Sequence, residues 1–356
     1  MGNSAIAFIV VIGILVFIHE LGHFLAARLC GVGVNVFSLG FGKKILKKRY
    51  GRTEYCISAI PLGGYVKMMG EEPGETIDPA DKKYSFTHKS LLKKSIIVAA
   101  GPVFNFLLAI FIFYILYQFS GIYMAKPIVG KVLENTPAAS AGIKPGDIIK
   151  EINTKEINSF EDIAKIITAG KGEKLEVVIQ RDSKYLGIVL SPVEKPDKNV
   201  FGEEIQKYVI GIVGNGESFH KSLNPFAALG HSLKDTYGLI KLTIVSVGKM
   251  INGSVSADNL GGPLMIAKMA GEQAKAGIMN FVWFIALLSV NLGIINLFPI
   301  PVLDGGHLMF FGIEAITGKS VGEKVREKLI QFGGAILVAL MVFVFYNDIV
   351  RMVNGG

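Results

Sequence analysis

Cysteine is nearly absent from this sequence, with only Cys30 and Cys56 among its 356 residues. Two cysteines exclude the dense disulfide framework that holds small secreted domains together. Lysine and arginine are absent before the first apolar segment, and no small-residue cleavage site follows it. Both absences argue against a cleaved signal peptide. We therefore expect the N-terminus to be retained.

Apolar residues dominate the composition. They make up 51% of the chain, and the mean hydropathy is +0.47. This balance is typical of an integral membrane protein. Four segments have roughly the 20 residues that a bilayer demands, and we predict membrane spans over residues 4–27, 96–119, 278–298 and 332–350.

The positive charge is concentrated in one stretch of the chain. The net charge is +8, and 13 lysines and arginines lie between the first two predicted spans, against six acidic residues there. Loops rich in lysine and arginine stay in the cytoplasm. The charge therefore indicates membrane orientation and not nucleic-acid binding. Both termini and residues 121–277 are expected outside, and both cysteines on the reducing side, where no disulfide forms.

The first apolar segment contains the sequence His19-Glu20-Leu21-Gly22-His23. Residues four apart share one face of a helix, so His19 and His23 can bind one ion while Glu20 points beside them, as in zinc hydrolases. The alternative is a pair of helical histidines satisfied by polar neighbours. Ionisable groups inside an apolar span cost about 3 kcal/mol each, and a bound metal would explain their presence.

A catalytic zinc site needs a third protein ligand and one open position for water. The candidate is Asp304, which follows Pro299 and Pro301 at the end of the third span. Prolines break a helix and leave carbonyls that only polar surroundings can satisfy. By the predicted topology, Asp304 lies at the same depth as His19 and His23. His307 is a rival ligand, and a helix end capped by Asp-Gly-Gly is the structural alternative.

Residues 127–193 have the strand and helix pattern of a compact α+β module. Its segment Ala138–Ile149 resembles a bacterial PDZ domain, which would bind a peptide or chain terminus by strand addition. A spacer or size filter is the other interpretation. Nearer the N-terminus, Gly63-Gly64 lies between apolar residues and predicts a hairpin or a surface turn. Between residues 226 and 251, apolar residues recur at threes and fours, which predicts an amphipathic helix.

Four features of the chain occur together: His19–His23 in the first span, Gly101-Pro102 with Asn105 in the second, the PDZ-like module, and Asn296–Gly306 containing Leu-Asp-Gly. This combination resembles the site-2 protease family of intramembrane zinc metalloproteases, of the bacterial RseP type that cleaves anti-sigma factors. The resemblance covers nearly the whole chain. It implies that Asp304 is the third zinc ligand, beside His19 and His23.

The resemblance also implies which residues contact substrate. One group would lie in a membrane-associated β-hairpin that holds the substrate extended, and consists of Gly63, Gly64, Tyr65 and Val66. The other group lies in the third span and consists of Asn291 and Asn296. Chemically, Glu20 is the expected general base, because a carboxylate beside a zinc ion can take a proton from the attacking water.

We therefore predict a polytopic α-helical membrane protein with four spans, a membrane-associated β-hairpin and an inserted α+β PDZ domain. The expected domains are two spans with the metal motif and the cytoplasmic loop (1–120), the external PDZ domain (121–196), a linker with an amphipathic helix (197–277) and the last two spans (278–356).

The expected function is Zn²⁺-dependent endoproteolysis of single-span membrane proteins, within the bilayer of a bacterial inner membrane and in its cytoplasmic half. An anti-sigma factor or a remnant signal peptide is the expected type of substrate. The alternative is a catalytically silent scaffold that recruits partners through its PDZ domain, against which the intact Glu20 argues. A metal transporter would need polar residues spread through several spans.

Overall fold

Four helices in the described part of the chain are long and apolar enough to cross a membrane: Ser4–Leu29, Leu91–Ser120, Ile278–Asn296 and Glu323–Val353. The structure, a computed structural model, describes residues 2–71, 75–256 and 260–353. Met1 and residues 354–356, at the ends of the predicted first and last domains, lie outside these ranges. The shortest of the four helices has 19 residues, about 28 Å of helix. These lengths are consistent with a polytopic membrane protein.

The helices, in chain order, are α1 Gly2–Leu29, α2 Leu91–Ser120, α3 Pro137–Ser140, α4 Phe160–Ala169, α5 Pro225–Ile251, α6 Pro263–Ala276, α7 Ile278–Asn296, α8 Asp304–Thr317 and α9 Glu323–Val353. A short 3₁₀ helix spans Pro79–Tyr84. The strands are β1 Val34–Tyr50, β2 Thr53–Met68, β3 Ile122–Ala125, β4 Val129–Val132, β5 Ile148–Ile152, β6 Lys155–Glu156, β7 Leu175–Arg181, β8 Lys184–Leu190, β9 Val193–Lys198, β10 Glu204–Val209, β11 Ile212–Gly214 and β12 Ser218–Lys221.

Strands β1 and β2 form a long antiparallel hairpin whose turn lies at Gly51-Arg52. The expected turn at Gly63-Gly64 was therefore placed wrongly, because these glycines lie inside β2. Residues 36–39 of β1 pair on one edge with residues 54–57 and on the other edge with residues 64–67. Between the two paired halves, Pro61 offers no N–H and Gly63 takes a φ of +128°, so the chain bends there and crosses to the opposite edge of β1.

The chain divides into two compact units, Met1–Leu116 with Leu229–Gly356 and, between them, Tyr117–Ala228. In the first unit, one buried cluster joins α1, β1, β2, α2 and α8 through apolar side chains: Ala26, Ala27, Val32, Val34, Met68, Phe86, Ile97, Val98 and Phe311. This cluster fixes the end of α1 that follows the two histidines against α2 and α8.

Helix α9 holds the start of α6 through a buried carboxylate. Asp348 is 2% exposed, and its two oxygens accept hydrogen bonds from the backbone N–H groups of Gly262, Leu264 and Met265 at 2.9 to 3.0 Å. The first N–H groups of a helix have no partner within the helix and favour a negative charge. This contact explains why an acidic residue is tolerated inside a candidate span.

The second unit contains a four-stranded antiparallel sheet in the order β6-β5-β7-β8 and three two-stranded pairs, β4 with β11, β3 with β12 and β9 with β10. Helix α4, whose N-terminus is closed by a Ser159 and Asp162 capping box, packs on a core of isoleucine, valine and leucine. Strands β10, β11 and β12 lie in the stretch 197–277 that was expected to be a linker. Strands β11 and β12 were missed because they pair with strands about 80 to 100 residues earlier.

Asp147 is the most buried charged group of this second unit, with 1% exposure. Both its oxygens accept hydrogen bonds from Arg181 at 2.7 Å, and Oδ2 also accepts one from the Lys144 N–H. Burial alone would raise the pKa of Asp147, but the hydrogen bonds and the Arg181 charge outweigh burial and hold that pKa below its usual value.

We expect Arg181→Met to destabilise the second unit by about 3 kcal/mol at pH 7, because it leaves a buried carboxylate without its partner. Since the pKa of Asp147 is lowered on folding, this stabilisation is present above about pH 4 and is lost as the pH falls further. Amide hydrogen exchange of β5 and β7 in the full chain measures the loss. Lys165→Met, which removes an exposed pair with Asp162, is the control and should cost less than about 0.5 kcal/mol.

Candidate metal centre

Helix α1 brings His19 and His23 together on one face, as their spacing predicts. Both residues are buried, with 8% exposure each, and their rings meet edge to face with centroids 4.8 Å apart. The two Nε2 atoms are 3.2 Å apart. Both imidazoles therefore direct the same ring nitrogen to one place.

Asp304 brings a carboxylate to that place from α8. Its Oδ2 lies 3.2 Å from His19 Nε2 and 3.5 Å from His23 Nε2. This oxygen is buried and has no hydrogen-bond partner in the described residues. Two donors about 2.0 to 2.1 Å from a tetrahedral zinc ion would be about 3.3 Å apart. The three separations thus fit a single zinc ion, and the two imidazoles and one carboxylate are a donor set that zinc favours.

The backbone before Asp304 explains how the carboxylate reaches the histidines. Helix α7 ends at Asn296 and α8 begins at Asp304, so Asp-Gly-Gly starts a helix and does not cap the end of one. A Cβ on Gly305 would overlap with the carbonyls of Leu297 and Phe298, and one on Gly306 with the carbonyl of Ile300. Only glycine lets the first turn of α8 lie so close to the preceding backbone.

Helix α2 contacts both histidines from behind. His23 Nδ1 lies 2.9 Å from the Ile97 carbonyl oxygen, and His19 Nδ1 lies 3.2 Å from Asn105 Nδ2. Between these two contacts, a Cβ on Gly101 would be 2.8 Å from His19 Cε1 and closer still to His23. From the sequence, Gly101-Pro102 and Asn105 were expected either to pack helices together or to form one wall of a polar site, and packing was the favoured interpretation. The available signal was their spacing of four residues, which repeats the spacing of the histidines.

Glu20 lies beside the second half of β2. Its carboxylate accepts a hydrogen bond from the Val66 N–H, and a Cβ on Gly64 would be 3.7 Å from Glu20 Cγ and 2.5 Å from the Ser38 carbonyl oxygen. Tyr65 stacks on Phe41 with ring centroids 6.1 Å apart. The structure thus places Gly64 and Val66 next to Glu20, with Gly63 and Tyr65 in the same stretch of strand.

The two asparagines of α7 lie in different settings. Asn291 Oδ1 accepts a hydrogen bond from Thr243 Oγ1 of α5 at 2.9 Å, so the predicted amphipathic helix contacts the third candidate span. Asn296 is the last residue of α7, eight positions before Asp304. Both residues are partly buried.

His307 lies one turn after Asp304 but is not part of the three-residue cluster. Its Nδ1 accepts a hydrogen bond from Arg326 Nη2 of α9 at 3.0 Å. Within the described residues, the cluster with ligand atoms inside 4.8 Å of one another consists of His19, His23 and Asp304. The geometry therefore favours Asp304 over its rival.

Comparison with known proteins gives a consistent result. Residues 7–340 match the sequence profile of peptidase family M50. A protein of Agrobacterium fabrum named as a zinc metalloprotease is 36% identical over 98% of this chain and 96% of its own length. One of Rickettsia conorii with a similar name is 39% identical over 97% of this chain and 98% of its own. The regulator of sigma E protease of Haemophilus influenzae is 34% identical over 97% and 98%, respectively.

Proposed function

We propose that this chain, which belongs to peptidase family M50 and is a zinc metalloendopeptidase, cleaves membrane-spanning segments of other proteins within the membrane. One observation carries the proposal. The ligand atoms of His19, His23 and Asp304 converge, and the two histidines are buried and belong to a candidate membrane span. Glu20 lies on the same span. A peptide bond that reaches this cluster would do so inside the hydrocarbon region.

In the proposed mechanism, His19, His23 and Asp304 hold the zinc ion. Zinc bound there supplies a Lewis acid that polarises the scissile carbonyl and lowers the pKa of a water toward neutrality. The Glu20 carboxylate takes one proton from the attacking water, whose oxygen bonds to the carbonyl carbon. Glu20 then gives that proton to the leaving nitrogen as the carbon–nitrogen bond breaks.

The second half of β2 is the proposed binding edge for the substrate backbone. A peptide bond within a helix is shielded by its own hydrogen bonds, so the substrate must unwind locally before it is cut. Residues 64–66 pair with β1 on one side, and no described strand pairs with their other side. Strand addition at that edge would hold an extended segment next to Glu20, with Asn291 and Asn296 as further contacts.

Val66→Pro should lower cleavage at least about fivefold while one zinc per chain remains bound. Proline has no N–H to donate to Glu20 or to a substrate strand, and one hydrogen bond is worth about 1 kcal/mol. Cleavage rate and zinc content are measured on the same preparation. Val66→Ala keeps the N–H and is the control, with a rate close to wild type. An unchanged rate for the proline variant would remove β2 from the mechanism.

The proposal also covers the role of the second unit and the orientation of the chain in the membrane. The sheet β6-β5-β7-β8 with helix α4 supports a PDZ domain in the stretch 121–196, which would bind a peptide or chain terminus or exclude bulky substrates. The charge pattern supports an orientation with both termini and this domain outside a bacterial inner membrane. The metal site then lies in the cytoplasmic half of the bilayer.

A reconstituted assay tests the proposed function. The purified full-length chain is placed in lipid vesicles with a single-span protein, such as an anti-sigma factor or a remnant signal peptide, that carries a tag at each end. We expect two tagged fragments, their loss on treatment with a chelator, and their return when Zn²⁺ is added back. No fragments from a chain that holds one zinc, across a panel of such substrates, would favour the silent scaffold.

A further inference from the structure

Helix α2 presents three groups at four-residue spacing to the two histidines of α1: the Ile97 carbonyl, the bare Cα of Gly101, and the Asn105 amide. Each of the two polar groups contacts the Nδ1 atom of one imidazole. The other ring nitrogen, Nε2, lies 3.2 Å from Asp304 Oδ2 in His19 and 3.5 Å from it in His23. The groups behind a histidine decide which ring nitrogen carries the proton, and so which one can bind a metal.

For His23 the assignment follows directly from the contact. A carbonyl oxygen can only accept a hydrogen bond, so His23 Nδ1 carries the proton that points at Ile97, 2.9 Å away. The lone pair of a neutral imidazole is then on Nε2. His23 is thereby set to bind a metal through the nitrogen that faces Asp304.

For His19 the outcome depends on which end of the Asn105 amide faces it. As the side chain lies, Nδ2 is 3.2 Å from His19 Nδ1. An N–H donated to Nδ1 would put the imidazole proton on Nε2, where it would block a metal. A half-turn of the amide exchanges the two ends. Oδ1, which is buried and has no partner in the described residues, then accepts a hydrogen bond from Nδ1–H and leaves Nε2 free.

We propose that Asn105 is a positioning residue for the metal site, which accepts a hydrogen bond from His19 Nδ1–H through Oδ1 and so selects Nε2 as the ligand atom. Asn105 is 0% exposed. Its backbone carbonyl also accepts a hydrogen bond from Ser289 Oγ of α7 at 2.8 Å, which fixes the position from which the amide reaches the imidazole. The inference rests on the proposed zinc site.

Zinc affinity of three purified full-length variants, measured by competition with a chromophoric chelator, tests this role. Asn105→Leu removes the acceptor at similar volume and should weaken zinc binding about 10- to 100-fold, the usual effect of losing a partner behind a ligand. Asn105→Asp keeps an acceptor and should bind zinc at least as tightly as the wild type. Asn347→Leu, the same change at another buried asparagine, should bind zinc like the wild type.

The outcomes separate this inference from the proposed function. A wild type without zinc would overturn the zinc site itself. If the wild type binds one zinc, equal affinity for Asn105→Leu would overturn the role of Asn105. Weakening in Asn105→Asp as large as in Asn105→Leu would show that the amide acts as a donor or through packing. Equal zinc loss in Asn347→Leu would assign the effect to general destabilisation and would also overturn the proposal.

Discussion

We expect Glu20→Gln to abolish cleavage, with kcat/KM lowered at least about 10³-fold, and to leave one zinc per chain. Glutamine has nearly the same shape as glutamate, so the hydrogen bond that Val66 donates to this side chain can persist through its amide oxygen. An amide cannot take a proton from water at neutral pH, and general acid–base catalysis contributes about 10²- to 10⁴-fold. The rate of fragment formation in the vesicle assay gives kcat/KM, and metal analysis of the same sample gives the zinc content per chain.

Glu54→Gln is the matched control for this substitution. Glu54 also lies in the first unit, on β2, but its side chain pairs with Lys44 and its backbone lies beside the turn of the hairpin, between Val36 and Arg49. Its substitution should change the cleavage rate less than twofold. A Glu20→Gln chain that retains more than a tenth of wild-type activity would mean that another group takes the proton.

We expect Asp304→Ala to lose zinc, with affinity lowered more than about 100-fold, and His307→Ala to keep it. Asp304 Oδ2 lies 3.2 and 3.5 Å from the two imidazole nitrogens and has no hydrogen bond in the described residues, as expected of a ligand atom. Losing a ligand should exceed the 10- to 100-fold effect of losing a group behind one. His307 is held by Arg326 instead. Metal analysis of the purified chains gives zinc per protein.

The pair of variants also serves as its own control, because both residues belong to the first turn of α8. If both variants lose zinc, disruption of α8 explains the result better than ligation does. Zinc loss in His307→Ala alone would reassign the third ligand. Thermal unfolding in detergent shows whether α8 remains folded. After zinc has been removed from both variants, their unfolding temperatures should be similar.

The candidate membrane helices and the metal motif could be predicted from the sequence for physical reasons. Apolar runs of about 20 residues have few structural alternatives, and the described chain has candidate spans close to the four predicted ones. Two histidines four residues apart meet on any helix. Asp304 was harder to place, because its approach depends on the break between α7 and α8 and on two glycines that tolerate close backbone contact.

The contacts that α2 makes with the Nδ1 atoms of the two histidines could not be predicted from the sequence in the same way. Asn105 reaches His19 across 86 positions of sequence, and Ile97 reaches His23 through a backbone carbonyl, which no residue pattern reveals. The hairpin was located but its turn was not. Gly63-Gly64 is a stronger turn signal than Gly51-Arg52. Both glycines nevertheless lie inside β2, where Gly63 allows the chain to bend and Gly64 allows a close approach to the Ser38 carbonyl.

Cleavage within the membrane can be tested by determining where a membrane-spanning substrate is cut. Wild-type chain and Glu20→Gln are incubated in vesicles with a tagged single-span substrate, and the fragment ends are determined by mass spectrometry. We expect a cut inside the apolar span, in its cytoplasmic half, that requires zinc and Glu20. Cuts confined to residues outside the span, or a cut inside it that persists in Glu20→Gln, would contradict the account.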